Sequence, residues 1–551
     1  MKYERRHFFV SLLLILFLIS PMSLSSSTKQ PPLTVAEASN FTATSKFADV
    51  IKFIRDLQSQ SSHIRVETLC VSPEGRTVPL LVIGHPVPSS PLDLHHDGKA
   101  VVYIQANIHA GEVEGKEASL MLARDIVLKE KPPFLDKLVI LFAPIFNADG
   151  NEKISPNNRR SQVGPEKGVG VRYNGQNLDL NRDAMKLESP EVQGLVCNVL
   201  NRWDPFLLVD CHTTNGSYHE EPVTYVWPLN PNGDLSIIKY MREKMMPSIN
   251  KNLQKKYNVL SVPYGNFMDY RNAEKGWRPS GPQPRYITNY IGLRNRLAIL
   301  NENYSYADYK TRVLGCYYFL LSILEHCYEH KDEIIRLTTK ADQKIIQRGI
   351  NPSENDSFAV EYDLKPLEKK VTIRGYEMEV TPREGGRPRV KKTDKKRTYT
   401  VPYFCDFVPK RSVSFPYAYL IPTADPEIKG KLLQHGIMVE KLTESAILEV
   451  ESFKLKEIKG APRLYQGHRM NSVKGEYVLE QKEFPVGTLF IGSAQRLANI
   501  AAYLLEPESD DGLLVWNFFD RYIVPQWRRG PQTYPVYRLL KPANLVKESV
   551  E

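Results

Sequence analysis

The stretch Val101–Glu117, VVYIQANIHAGEVEGKE, constrains the chain more than any other. Val101–Ala106 is short, β-branched and mostly apolar, the composition of a strand buried on both faces in a parallel sheet. Gly111 and Gly115 interrupt it. From about Gly115 the pattern turns helical: Ala118, Met121, Leu122 and Ile126 fall at offsets 0, 3, 4 and 8, one face of a helix. A strand, a bend and a helix in that order make an α/β unit, and ligands bind in such bends, past the carboxyl end of a strand. His109 and Glu112 occupy the bend. A neutral imidazole and a carboxylate three residues apart can both ligate zinc.

Two more His-x-x-Glu pairs occur, His326/Glu329 and His330/Glu333. Both fall near the end of an expected helix, Thr311–Lys331, whose apolar face is Val313, Leu314, Tyr317, Leu321 and Leu324. They read as a solvated polar helix end. Strand-to-helix context sets His109 and Glu112 apart.

The same alternation recurs along the chain. Lys46–Gln58 reads as a first helix, and Val66–Gly84 as two strands around the turn Ser72-Pro73-Glu74-Gly75. Lys137–Phe146 is a buried strand ending in Asn147-Ala148-Asp149-Gly150. Ser155–Asn181 is a long polar loop, a kind that usually serves function. Pro190–Leu200 looks helical. Phe206–Val209 is a third strand, leading at once into Asp210-Cys211-His212, and Ile299–Tyr306 places Glu302 at a fourth strand end. The expected fold is α/β: a mixed, mainly parallel central sheet with helices on both faces over residues 35–335. Residues 336–400 read as a charged linker, and 401–551 as a smaller mixed α+β accessory domain with strands at Tyr417–Ile421 and Leu489–Ile491.

The N-terminus has a different pattern. Lys2, Arg5 and Arg6 precede Phe8–Ile19, a run broken only by Ser11, followed by Pro21 and Ser23–Ser27. That is the order of a secretory signal peptide over residues 1–27. The run is shorter than the roughly 20 residues of a spanning helix. Secretion or periplasmic export is expected, with a signal anchor as the alternative and no stable membrane insertion. Thr28–Phe47 reads as only partly ordered. Export permits disulfides, but the six cysteines show no close-spaced framework. The net charge of +10 includes eight Lys/Arg against two Asp/Glu between Arg383 and Arg397. No aromatic residue interrupts that run, which disfavours base stacking; no nucleic-acid partner is expected.

Three candidate ligands thus come from two strand ends: His109, Glu112 and His212. Two His and one Glu meet the count of a catalytic zinc site, which keeps a fourth position open. Glu302, at a separate strand end, can move a proton to and from water. His109-Ala-Gly-Glu112, Asn147-Ala-Asp-Gly150, Asp179-Leu-Asn181-Arg182, His212 and Glu302, in that order, resemble the M14 metallocarboxypeptidases, the carboxypeptidase A-like zinc exopeptidases. The resemblance covers roughly residues 35–335. It implies one Zn2+ per chain on His109, Glu112 and His212. It implies Glu302 as general base, Asn181 and Arg182 as the grip on a substrate's C-terminal carboxylate, and Arg159 (otherwise Arg160) as the group polarising the scissile carbonyl. Tyr286 and Tyr290 are candidates for the family's capping tyrosine. Arg285, Arg294 and Arg296 read first as salt-bridged structure.

The function expected is a secreted zinc-dependent carboxypeptidase acting on peptide or protein C-termini through a zinc-activated water. The alternative is a zinc amidohydrolase of the desuccinylase–aspartoacylase type acting on N-acyl amino acids. Sequons stand at Asn40, Asn215, Asn303 and Asn355. Glycans on Asn215 or Asn303 would block the site.

Overall fold

A computed structural model describes residues 30–550, apart from 270, 354, 383–388, 424 and 524–531. The signal peptide expected over 1–27 and part of the basic run therefore lie outside the described residues. Among the described residues, no helix is long and apolar enough to cross a membrane.

Eight strands build the central sheet: β1 (Ile64–Val71), β2 (Thr77–Ile83), β3 (Ala100–Ala106), β4 (Leu138–Ala143), β5 (Leu207–Thr214), β6 (Val223–Val226), β7 (Ser261–Pro263) and β8 (Leu297–Tyr304). They lie in the order β1-β2-β4-β3-β5-β8-β6-β7. The centre is parallel, β4 to β3 to β5 to β8. β1, β2 and β6 pair antiparallel with their inner neighbours. Every residue of β3, β4 and β5 is buried, as continuous apolar runs require.

Helices α1 (Phe47–Gln58), α2 (Glu114–Val127) and α3 (Tyr309–Ile350) pack on this sheet. The bend before α2 has a local cause. Asn107 takes φ 67°, a left-handed conformation that asparagine tolerates better than most residues. Its Nδ2 donates to the carbonyls of Ala110 (3.3 Å) and Glu112 (3.2 Å). The Glu112 amide closes a turn on His109 O at 2.8 Å.

The sequence predicts one apolar face for α2, yet Glu114, Lys116 and Glu117 are buried as well. Each has a partner: Glu114 pairs with Arg312 of α3, Lys116 donates to Asn151 at 2.6 Å, and Glu117 accepts from Thr44 at 2.8 Å and Ser45 N at 2.7 Å. The N-terminal segment expected to be only partly ordered thus lies over the helix. It includes a short helix, Val35–Ala38, capped by Thr34.

α3 does not stop at Lys331 but runs to Ile350, with non-helical angles only at His330. Ile334, Thr338, Ala341 and Ile345 continue its buried face. His326 is therefore mid-helix and buried, bonded to Tyr240 at 3.1 Å. It is not part of a solvated end. Where a linker is expected, residues 357–414 form two ribbons: Ser357–Pro366 pairs with Phe404–Ser414, and Val371–Thr381 with Arg389–Val401. A two-stranded ribbon buries one face, here Ile373, Tyr399 and Val401. The other face carries the charges that read as a linker.

Beyond the ribbons, a seven-stranded sheet spans Ala418–Ile421 to Lys547–Ser549, all neighbours antiparallel, with helices Pro426–Gln434 and Ala498–Leu505. Its core residues Leu432 and Tyr503 belong to the same apolar cluster as Leu207, and Pro32–Glu551 forms one compact unit. All six cysteines are free thiols, four of them buried.

Candidate metal centre and substrate cavity

The parallel registers carry the candidate residues to one sheet end. Glu302 on β8 lies opposite His212 on β5 and opposite Thr224 on β6. His109 follows β3, the other neighbour of β5. Gly115, at the start of α2, faces Cys211 so closely that a Cβ there would collide with it. This close approach seats the helix beside His212.

Three ligand atoms converge. Nδ1 of His109 and Nδ1 of His212 are 3.2 Å apart. Glu112 reaches the first with Oε1 at 3.1 Å and the second with Oε2 at 2.9 Å. Ligand bonds of about 2.0–2.1 Å would set tetrahedral donor atoms roughly 3.4 Å apart, so the donor set and spacing fit zinc. Among the described residues this is the one cluster of His, Cys, Asp or Glu so arranged.

The far nitrogens are also engaged. Nε2 of His109 meets Asp179 Oδ1 at 3.0 Å, and Nε2 of His212 meets Asp210 Oδ2 at 2.8 Å. A carboxylate behind each imidazole fixes the tautomer that leaves Nδ1 free to bind a metal. Burial alone would lower the His212 pKa, but Asp210 and Glu112 outweigh it and raise the group well above its ordinary value. Glu112 stays well below the usual carboxylate range despite burial, held by His109 and Arg159. The anionic pocket thus demands positive charge at its centre, whether protons or a metal cation.

A cavity of about 350 Å³ opens on this centre. Glu302 lines it, and burial, opposed by His212, pushes its carboxyl up to about 8. Two guanidinium groups face the centre. Arg159 donates to Glu112 Oε1 at 2.8 Å and to Thr213 O at 3.1 Å. Arg172 donates to Asp179 at 2.8 Å and lies 3.3 Å from His109 Nδ1. At the other end stand Asn181 and Arg182 on the single turn Leu180–Arg182, whose start is capped by Asp179. Asn181 Oδ1 accepts from Ile287 N at 3.0 Å, and the Arg182 guanidinium lies 4.5 Å from the centre of the Tyr286 ring. Leu300, one pleat inward from Glu302, faces Val226 across the β6–β8 register, and with Trp227 and Leu229 it makes an apolar wall.

All seven residues that the sequence nominates, His109, Glu112, Arg159, Asn181, Arg182, His212 and Glu302, line this cavity. Arg160 does not; nor do Arg285, Arg294 and Arg296, which pair with Asp511, Asn201 and Asp204. Tyr286 lines the cavity, whereas Tyr290 is buried against His435 at 2.7 Å. Asn303 is buried and donates to His212 O, so it has no room for a glycan. Sequence reasoning missed Asp179, Asp210 and Arg172. The first two stand within two residues of nominated ones, in Asp179-Leu-Asn181 and Asp210-Cys-His212, and that nearness was the available signal.

Residues 50–205 match the family model of zinc carboxypeptidases. This region belongs to the M14 zinc carboxypeptidase family. Carboxypeptidase 2 of Trichophyton rubrum is 24% identical over 489 residues, covering 85% of this chain and 81% of the relative. Carboxypeptidase 2 of Trichophyton equinum is also 24% identical, over 487 residues, with the same two shares of 85% and 81%. Among solved structures, a metallo-carboxypeptidase from Burkholderia cenocepacia aligns at 18% identity and TM-score 0.37, covering 51% of this chain and 68% of the other. Carboxypeptidase A from Helicoverpa armigera aligns at 14% identity and TM-score 0.37, covering 55% and 74%. The matched region is accordingly that of a hydrolase of the metallocarboxypeptidase class.

Proposed function

We propose that this metallocarboxypeptidase is exported and, with one zinc ion on His109, Glu112 and His212, removes residues from peptide C-termini, with preference for uncharged apolar side chains. The observation that carries the reading is the convergence of two Nδ1 atoms and one carboxylate within 3.2 Å, each imidazole backed by its own acid. Zinc held there supplies Lewis-acid polarisation of water and of the scissile carbonyl.

The chain's own side chains do the rest. Arg182, with Asn181 beside it, binds the substrate's terminal carboxylate; a guanidinium can do so with two parallel hydrogen bonds. Tyr286, against Arg182, closes that end. Glu302 takes a proton from the attacking water and returns it to the leaving amine. Arg159 donates to the oxygen on which negative charge develops, with Arg172 behind it. The apolar wall of Val226, Trp227, Leu229 and Leu300 receives the side chain of the departing residue. Glu112 and Glu302 are the only acids lining the cavity among the described residues, and neither is spare to recognise a lysine or arginine side chain. The basic, apolar, then Ser-rich order of residues 2–27 supports export.

The test is a panel of N-blocked dipeptides with varied C-terminal residues, run beside N-acyl amino acids. Chelation should abolish cleavage, zinc should restore it, and Phe or Leu termini should outpace Lys, Arg, Asp and Glu. Activity confined to N-acyl amino acids would replace this reading with the amidohydrolase one.

A further inference from the structure

Asp179 is held from two sides. Its carboxylate meets His109 Nε2 and Arg172 Nε and also accepts from Asn181 N at 3.1 Å. Its backbone N–H donates to Gln466 Oε1 at 2.8 Å, a residue 287 positions further along the chain. Gln466 sits at the tip of the long hairpin made by Ala446–Gly460 and Asn471–Phe484.

The tip is a tight turn. Tyr465 and His468 exchange both backbone hydrogen bonds, at 2.8 and 3.1 Å. Gln466 and Gly467 between them have φ 52° and 81°. A two-residue turn with both angles positive is best filled by Asn-Gly, Asp-Gly or Gly-Gly. A glutamine gains nothing locally there, and an L side chain at positive φ is disfavoured. What its side chain does gain is a hydrogen bond from the backbone N–H of Asp179, itself a buried residue. Neighbouring contacts aim the tip: His468 Nε2 meets Glu188 Oε1 at 2.8 Å, and Tyr465 lies over Arg285, the residue before Tyr286.

We infer that Gln466 is a positioning residue of the metal site, by which the C-terminal sheet fixes Asp179 and so the ring of His109 and the turn carrying Asn181 and Arg182. This rests on the metallocarboxypeptidase reading. Gln466 does not line the cavity; it acts through Asp179.

The turn preference separates positioning from a structural role. Gln466→Gly and Gln466→Asn both suit the turn better, and neither brings an acceptor to the Asp179 amide. In the full-length protein, relief of the positive φ at 466 and loss of the Asp179 hydrogen bond act in opposite directions on the metal-free melting temperature of both variants, so zinc affinity is the deciding readout. Their zinc dissociation constant, read by competition with a chelator, should rise about tenfold, the lower end of what losing an outer-shell partner costs. kcat/KM should fall with it. Gln466→Glu keeps an acceptor at the same reach and should restore zinc affinity. Unchanged zinc affinity in Gln466→Gly would overturn the inference, as would a loss of affinity that Gln466→Glu fails to restore. If the parent protein neither binds zinc nor cleaves peptides, the functional reading fails instead.

Discussion

Asp210 offers the sharpest perturbation of the metal centre, because its two oxygens have separable partners. Oδ2 faces His212 Nε2 at 2.8 Å, and Oδ1 accepts from Gln105 Nε2 at 3.0 Å. Gln105 Oε1 is buried without a partner. In Asp210→Asn the new amide can keep its oxygen toward His212 and turn its NH2 to Gln105, whose own amide rotates to present Oε1. Hydrogen bonding then survives and only the negative charge is lost. The expected cost is a zinc dissociation constant raised about 10- to 100-fold, about 1.4–2.7 kcal/mol, with metal-free stability lost only below the raised His212 pKa, where the imidazolium loses its partner charge. Asp210→Ala is different in kind. It strands His212 Nε2–H and Gln105 Nε2, each at about 1–3 kcal/mol, so metal-free stability should fall by about 2–6 kcal/mol as well. The pH dependence adds a second check. Asp210 raises the His212 pKa, so protons compete with zinc in the parent protein up to a higher pH than in Asp210→Asn. The affinity gap between the two should therefore narrow as pH falls. The assay is chelator competition from pH 6 to 8 with parallel melting curves. Zinc affinity of Asp210→Asn within twofold of the parent would refute the assignment of Asp210 as the acid that orients His212.

Three further outcomes are expected. Arg182→Ala should lower kcat/KM about 100-fold on free-carboxylate peptides, matching roughly 3 kcal/mol for a lost charge-assisted contact, and far less on amidated ones; equal losses would contradict the anchor role. Glu302→Gln should lower kcat by about 10² to 10⁴ while zinc binding persists. Because the basic form of Glu302 is needed, parent activity should drop as pH falls through its pKa, and that limb should lie below the metal-free value of about 8, since a bound dication lowers the pKa; a pH profile of kcat/KM locates it. Glu191 is buried, and desolvation pushes its carboxyl up to about 7 from an ordinary 4.5. The folded state then holds a proton that the unfolded state has lost, so its contribution to stability declines as pH rises from about 4.5 to 7. Glu191→Gln should flatten that decline, gaining up to about 3 kcal/mol on the parent between pH 5 and 8 in thermal melts.

The C-terminal half shows where reading ran short. Its charged stretches looked like linker because Lys and Arg in sequence do not reveal that alternate residues such as Ile373, Tyr399 and Val401 face a partner. α2 erred the other way. A single apolar face was legible, but the burial of Lys116 and Glu117 depends on Ser45 and Thr44 lying above them. The helix α3 was legible to Lys331 and then continued, because the buried face past His330 interleaves Ile334 and Ile345 with Thr338 and Ala341, weak apolar signals on their own.

By itself the sequence determined the local units: apolar runs long enough for buried strands, the glycines that interrupt the apolar run after β3, and the residue types able to hold a metal. Period and turn chemistry act over a few residues, so they can be read without the fold. Tertiary structure decided which strands became neighbours, and thereby that Glu302 faces His212 and that Asp179 backs His109. It also decided that Arg172 joins Arg159 at the centre and that a hairpin from the C-terminal sheet reaches the Asp179 amide. Those choices depend on register and on chain segments up to 287 residues apart. No local preference encodes them, because each is settled by which packing buries the most apolar surface while leaving few polar groups unpartnered.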